Sequence, residues 1–301
     1  VNFKILTYDN DVGIVTDAIL LKNLINKNIT SNVEVKFIGK DIIEKSDIGI
    51  WIQNFDIELL NRFKKNIFFI NEEWCSNYEL NNLHLFDYVI CKSNYAKNLL
   101  TTYCNAIYFP FISKDYYDSS ITHNYSNLHF AGRSIQKNTE LILSFKNELT
   151  LIDPYNRYKV DSNVNHINTY QSTEQLIQLL NSHNTHICCS LYESWGHYLY
   201  EGLSTGAEII CSNIPTFREQ LDPDLVHFIP TTEKTNISYQ YDFDNIDKKF
   251  PIRKSFYINA NTYFDTINFL QPKGTIQKRR SLFKCIIDKN SKTLVNFFKN
   301  I

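Results

Sequence analysis

Methionine is absent from this 301-residue sequence, and glycine occurs only eight times. No G-x-G-x-x-G follows the first apolar run, so a nicotinamide-binding Rossmann oxidoreductase ranks last among the readings considered. No apolar stretch approaches the roughly 18 residues of a membrane span, and no secretory apolar segment opens the chain. The expectation is a cytoplasmic protein without an integral membrane segment. A basic surplus is also missing: 31 Lys and Arg face 32 Asp and Glu, a formal net charge of −1. That balance excludes nucleic acid as the expected partner. Lys278-Arg279-Arg280 is the only compact basic cluster and reads as a solvated helix start. The seven cysteines, Cys75, Cys91, Cys104, Cys188, Cys189, Cys211 and Cys285, form no C-x-x-C pair and no zinc spacing. Several lie in strand-like apolar runs, which suits reduced core thiols.

What is present is 43% hydrophobic residues, enough for two modest domains with cores of their own. Strand and helix patterns alternate through the first third. Strands are expected at 1–8, 33–38, 48–52, 67–70, 88–91 and 106–109. Helices are expected from about Ile14 to Lys27, over 56–64, and over 95–103 behind a Ser93 cap. Residues 113–126 are polar and broken in pattern and read as a linker. A second alternating block follows, with strands at 127–131, 157–160, 166–167, 186–190 and 207–211. Its helices are expected at 138–147, 172–180, 199–205 and 255–269. Residues 240–253 read as irregular, and 275–300 as one long helix. This alternation predicts parallel sheets covered by helices: an α/β chain with domains at 1–112 and 127–272 and a C-terminal helix at 273–301.

The chemistry concentrates in the second block. Glu193-Ser194-Trp195-Gly196-His197-Tyr198-Leu199-Tyr200-Glu201 joins a buried strand to a helix. One carboxylate falls in the loop and the other on the first helical turns. Gly196 stands where a backbone can approach a ligand. The helix start offers free N–H groups and the positive end of a dipole, which suits phosphate. Carboxylates beside such a site suit sugar or ribose hydroxyls. Upstream, Phe130-Ala131-Gly132-Arg133-Ser134-Ile135-Gln136-Lys137 is a strand, a glycine turn and two cations. A guanidinium and an ammonium about one turn apart can clamp a diphosphate. Trp195 reads chiefly as packing, and Glu201 has the competing reading of a carboxylate favoured by the helix dipole.

Gly132-Arg133-x3-Lys137 together with Glu193-x7-Glu201 resembles the donor domain of the retaining family 4 glycosyltransferases, which have the GT-B fold. His186 to Glu193 is similar to that family's strand leading into its E-x-F/W-G element. Gly202 to Cys211 is similar to the helix and strand that follow, and Ser212-Asn213-Ile214-Pro215-x3-Glu219 to its D-x-P…E loop. Asp87 to Ser93 resembles a strand and serine of the acceptor domain. The resemblance is specific from about Leu128 to Leu221. It implies two Rossmann-like domains facing across a cleft, with the C-terminal helix packing back toward the first.

The resemblance further implies that Arg133 and Lys137 hold the diphosphate and stabilise the leaving group. Glu193 would bind hydroxyls of the transferred sugar, and Glu201 those of the ribose. Gly132, Trp195, Gly196 and His197 would complete the donor site. It implies no metal and no cofactor, only a nucleotide-diphosphate sugar as co-substrate, and an acceptor that is a glycan, a protein or a lipid-linked molecule. Toward the acceptor, Asp11 and Gly13 stand where many members carry Gly-Gly. Glu72 and Glu73 face the acceptor or are solvated loop charges, and His84 is an outlying candidate. Three alternatives remain beside transfer: an inactive sugar-nucleotide or glycan binding module, a nucleotide-sugar epimerase, and the oxidoreductase already ranked last.

Overall fold

A computed structural model describes residues 1–9, 13–29, 31–144, 148–235, 250–268 and 271–301. The chain divides into two compact units. One comprises Val1–Ile112, Lys248–Arg253 and Ile287–Ile301, the other Ser113–Asp247 and Lys254–Ile286.

The first unit runs β1 (Asn2–Thr7), α1 (Gly13–Asn28), β2 (Asn32–Phe37), β3 (Ser46–Ile52), α2 (Ile57–Leu60), β4 (Phe63–Ile70), α3 (Asn77–Asn82), β5 (Tyr88–Cys91), α4 (Asn94–Leu100) and β6 (Ile107–Tyr108). Its six strands form a parallel sheet in the order β2-β1-β3-β4-β5-β6. Parallel strands are covered on both faces, which is why β3 and β4 read as continuous apolar runs rather than alternating ones. Trp51 and Phe68 to Ile70 are fully buried there. The Trp51 indole N–H is satisfied by Asn66 Oδ1 at 2.9 Å. Ser93 caps α4 as expected, its hydroxyl accepting from Ala96 N at 3.0 Å.

The second unit runs β7 (Tyr125–Phe130), α5 (Thr139–Leu143), β8 (Leu149–Ile152), β9 (Val164–Ile167), α6 (Thr173–Ser182), β10 (His183–Cys188), α7 (His197–Thr205), β11 (Glu208–Ser212), α8 (Pro215–Arg218), β12 (His227–Ile229), β13 (Thr231–Thr235), β14 (Lys254–Ile258) and α9 (Ala260–Asn268). A second six-stranded parallel sheet has the order β12-β11-β10-β7-β8-β9. Helix α10 (Ile276–Lys299) follows. Its last turns belong to the first unit, as the reading of the C-terminal helix anticipates. There Phe298 is buried edge-on against Phe3 at 6.0 Å, and Asn290 donates to the Phe111 carbonyl at 2.8 Å.

Three expected elements are corrected. Residues 157–160 are not a strand, because the Asp153 carboxylate takes the N–H groups of Arg157 at 2.6 Å and Tyr158 at 3.1 Å. The strand lies earlier, at β8. Residues 255–258 are extended rather than helical: β14 pairs antiparallel with β13, and only from Ala260 does the chain coil. The run Ser255-Phe256-Tyr257-Ile258 suits a strand as well as a helix by period alone, and its aromatic content tips it to the strand. Helix α2 stops at Leu60 because Phe63 already begins β4. Asp11, residues 145–147 of the expected 138–147 helix, and residues 240–249 lie outside the described residues.

In each sheet the chain reverses its direction of growth once, at β1/β3 in the first unit and β7/β10 in the second. Such switch points open crevices at the carboxyl ends of the strands, where α/β proteins bind ligands.

One polar contact is built deep into the first unit. Lys92, just beyond β5, pairs with Asp17 of α1, both side chains 3% exposed. Lys92 also sits 4.5 Å over the Phe111 ring. Removing one partner of a buried pair strands the other charge. Asp17→Ala is expected to lower unfolding free energy by about 3–5 kcal/mol in urea. Asp17→Leu with Lys92→Met is expected to recover most of it. A single-variant cost below about 1 kcal/mol would show that the pair is not held as described.

Candidate functional site

The residues that stood out in the second block gather at the switch point of the second sheet. Past the end of β7, Gly132 takes φ +62°, a conformation that leaves it without strain. A Cβ there would lie 3.0 Å from Lys137 Cγ and 3.2 Å from its Cε. Glycine therefore lets the Lys137 chain pass back across the turn. Ile135–Lys137 form a single 3-10 turn behind the Ser134 cap.

Past the end of β10, residues 189–196 loop into α7. Glu193 in this loop is 9% exposed and forms an ion pair with Lys137. Its Oε1 also accepts from Ser190 Oγ at 2.8 Å. Two residues chosen from separate segments thus meet. The loop is pinned on several sides. Leu191 N–H donates to the Gln136 carbonyl at 2.8 Å, and Gln136 Nε2 donates to the Tyr192 carbonyl at 2.6 Å. Phe256 N–H donates to the Leu191 carbonyl at 2.8 Å, and Ser212 Oγ to the Ser190 carbonyl at 2.6 Å.

Gly196 begins α7 with φ +87°, and a Cβ there would lie 2.7 Å from the Phe217 ring. Trp195 is buried, stacks on Tyr200 at 4.1 Å and donates its indole N–H to Ser113 Oγ at 2.9 Å. The same Ser113 hydroxyl lies 3.0 Å from His197 Nδ1. Trp195 is thus packing that fixes the helix start. Farther along, Gly202 leaves room for His186, whose Nδ1 would lie 2.6 Å from an added Cβ. Burial holds His186 and His129 neutral, the latter pushed down to about 4.

Glu201 differs from the other charged groups. It is partly buried in α7, and its carboxylate makes no hydrogen bond or ion pair with any described residue. Burial raises its pKa above the ordinary carboxylate value, opposed by the charges of His197, Lys114 and Lys137. The folded protein therefore holds this proton more tightly than the unfolded chain does, and stability falls as pH climbs from 4.5 through the raised value. Tyr116, beside it, is pushed up to about 12 by burial and by Glu201.

Lys114 and Tyr116 were not singled out from the sequence, because they sit in the segment read as a linker. Arg157 was missed as well. Its guanidinium donates to the carbonyls of Gly132 at 2.5 Å and Arg133 at 2.9 Å, clamping the glycine turn. Arg133 itself is exposed, with its guanidinium 5.9 Å over the Tyr155 ring. The charge here is therefore Lys137 and Glu193 together, Arg133 at the edge, and Glu201 without a partner among the described residues.

In the first unit, Gly13 is the exposed first residue of α1, with nothing within 4 Å of an added Cβ. Glu72 and Glu73 form a 3-10 turn after β4 and are 4% and 5% exposed, so neither is a solvated loop charge. His84 is exposed and bonds locally to the Asn81 carbonyl at 3.0 Å. Glu219 is exposed at the end of α8. Among the described residues no group of three His, Cys, Asp or Glu could hold a metal ion, and no helix is long and apolar enough to cross a membrane.

No protein-family model matches the sequence, and no curated protein matches it. Solved structures match over the whole length. A glycosyltransferase from Rickettsia africae aligns with TM-score 0.69 and 11% identity, over 99% of this chain and 98% of its own. Sucrose-phosphate synthase from Thermosynechococcus elongatus aligns with TM-score 0.66 and 11% identity, over 99% and 98%. Anabaena HepE in complex with UDP-glucose aligns with TM-score 0.67 and 9% identity, over 100% of both chains. The two six-stranded parallel sheets with their helices are a fold of GT-B type.

The Arg157 clamp is testable. Arg157→Lys keeps the charge but cannot reach both carbonyls, and is expected to cost about 1.5–3 kcal/mol in urea unfolding. A loss under about 0.5 kcal/mol would show that the guanidinium does not hold the turn.

Proposed function

We propose that this protein is a retaining glycosyltransferase of the family 4 kind, which moves a sugar from a nucleotide-diphosphate sugar to an acceptor. The observation that carries this reading is the Lys137–Glu193 ion pair at the switch point of the second sheet, beside the start of α7. The solved relative bound to UDP-glucose has the same fold and supports a nucleotide-sugar donor.

Lys137 and Glu193 each satisfy the other's charge. A donor diphosphate competes for Lys137, and Arg133 at the edge adds a second cation. Glu193 is then released to accept from hydroxyls of the sugar, with Ser190 still holding it in place. The free amides at the start of α7 face negative charge favourably. Glu201 takes the ribose hydroxyls, which supply donors that its half-buried carboxylate lacks among the described residues. As the glycosidic bond breaks, negative charge grows on the diphosphate, and Lys137 and Arg133 stabilise it there without a metal. Transfer proceeds on the face from which the diphosphate leaves, and the diphosphate accepts the acceptor proton. No protein nucleophile is required.

Incubation with a panel of nucleotide sugars, with release of nucleoside diphosphate as the readout, tests this directly. One donor is expected to be turned over, and Glu193→Ala is expected to lower the rate about 100-fold or more. Undiminished release by Glu193→Ala would overturn the assignment. Donor binding without release, with candidate acceptors present, would make the protein a binding module.

A further inference from the structure

Residues 113–126 read as a linker, yet the chain there is fastened to the second unit by side chains from three helices. Tyr116 N–H donates to Ser204 Oγ of α7 at 3.0 Å. Asn181 of α6 donates to the Tyr116 carbonyl at 2.7 Å and accepts from Asp118 N–H at 2.9 Å. Arg280 of α10 pairs with Asp115 at 3.3 Å, and its guanidinium stands 3.6 Å over the Tyr117 ring. These anchors fix the place of the residue that opens the segment, Ser113.

Ser113 is 5% exposed, and its one hydroxyl serves two neighbours. The Trp195 indole N–H, which can only donate, reaches Ser113 Oγ at 2.9 Å. His197 Nδ1 lies 3.0 Å from the same oxygen. Ser113 Oγ has no other hydrogen bond among the described residues. A hydroxyl carries a single proton, and a buried one needs an acceptor for it. Were Nδ1 protonated, Ser113 would accept twice and its own proton would lack a partner. With Nδ1 bare all three groups are satisfied, the indole donating to the hydroxyl and the hydroxyl to the imidazole. The neutral His197 ring then carries its proton on Nε2, because the bond made by one ring nitrogen sets the state of the other.

That proton is well placed for the site. His197 is the first residue of α7, and its Nε2 is on the side of the ring away from Ser113. Glu201 lies one turn farther along the same helix face, close enough for charge on His197 to oppose its rise in pKa. The indole end of the chain is rigid: Trp195 is 2% exposed and stacked on Tyr200 at 4.1 Å. A donor whose tautomer and orientation are already set spends nothing on ordering when a ligand arrives.

We propose that Ser113 is a positioning residue of the donor site: it locks neutral His197 in the Nε2–H tautomer, so that the imidazole donates a hydrogen bond to an oxygen of the bound diphosphate. The diphosphate rests on the glycosyl-transfer reading above, whereas the lock rests on the three side chains alone.

Two-bond proton–nitrogen NMR spectra of the full chain, with histidine labelled by nitrogen-15, read the tautomer at about pH 8, where an ordinary imidazole is neutral. The His197 signals, assigned by their loss in His197→Ala, are expected to show a protonated Nε2 and a bare Nδ1. Ser113→Ala is expected to give a mixture of tautomers, and Ser113→Thr, which keeps the hydroxyl, to retain one. Each variant is checked for native circular dichroism. Calorimetry with UDP, ADP and GDP reads the consequence. For the nucleotide that binds, His197→Ala is expected to weaken affinity about 10- to 100-fold. Ser113→Ala is expected to weaken it less, and to add nothing in the His197→Ala background, because it acts through that ring. A protonated Nδ1 in the wild-type protein would overturn the proposal, as would a tautomer unchanged by Ser113→Ala. Equal sensitivity to Ser113→Ala with and without His197 would overturn it too. Undiminished nucleotide binding by His197→Ala would remove the bond to the diphosphate and leave the donor reading standing. The Nε2–H tautomer, lost in Ser113→Ala, in a protein that binds no nucleotide would uphold the lock and count against the donor reading instead.

Discussion

The ion pair of Lys137 with Glu193 is the contact around which the second unit is organised. Each charge lies past the end of a different strand, and the pair forms only because β7 and β10 are neighbours where the sheet changes its direction of growth. Gly132 must be glycine so that the lysine can fold back, and Arg157 holds that turn by its two carbonyls. On the other side, Gln136, Ser190, Ser212 and Phe256 fix the loop that carries Glu193. A largely buried pair gains little net stability over an apolar one, so this much support makes better sense as preorganisation of a site than as a way to stabilise a fold.

Glu201 follows the opposite logic on the same helix. Burial raises its pKa, and the positive charges of His197, Lys114 and Lys137 oppose that rise. Its ionised form costs stability at pH values above the raised pKa. A buried imidazole of the same unit is treated differently. His129 is held neutral by burial and bonded on both ring nitrogens, as suits a side chain that supports the fold. Within the same unit His129 is thus fully satisfied, while the Glu201 carboxylate has no hydrogen bond or ion pair among the described residues.

The parallel architecture was legible in the sequence because its strands are buried on both faces and so read as uninterrupted apolar runs. That the residues of the candidate site gather in space was legible because its cations and carboxylates sit at strand ends, next to glycines that the chain otherwise uses sparingly. What could not be read were contacts that depend on side chains replacing backbone partners. Asp153 captures the amides of Arg157 and Tyr158, which turned an apparent strand into a loop and hid the guanidinium clamp. The β13–β14 pair was missed because a five-residue aromatic run carries no period that separates strand from helix. Lys114 and Tyr116 were missed because a polar, irregular segment gives no sign of what it packs against.

The measurement closest to the central claim is proton release on donor binding. UDP-glucose, with UDP-galactose and UDP-N-acetylglucosamine beside it, is titrated calorimetrically at several pH values between 4.5 and 7, in buffers of different ionisation heat. These ligands have no group of their own that titrates in that range. If Glu201 receives the ribose hydroxyls, binding lowers its raised pKa, and protons are released within that window in wild type but not in Glu201→Gln. Binding with the same proton count in both proteins would contradict the account, and so would failure of all three donors to bind.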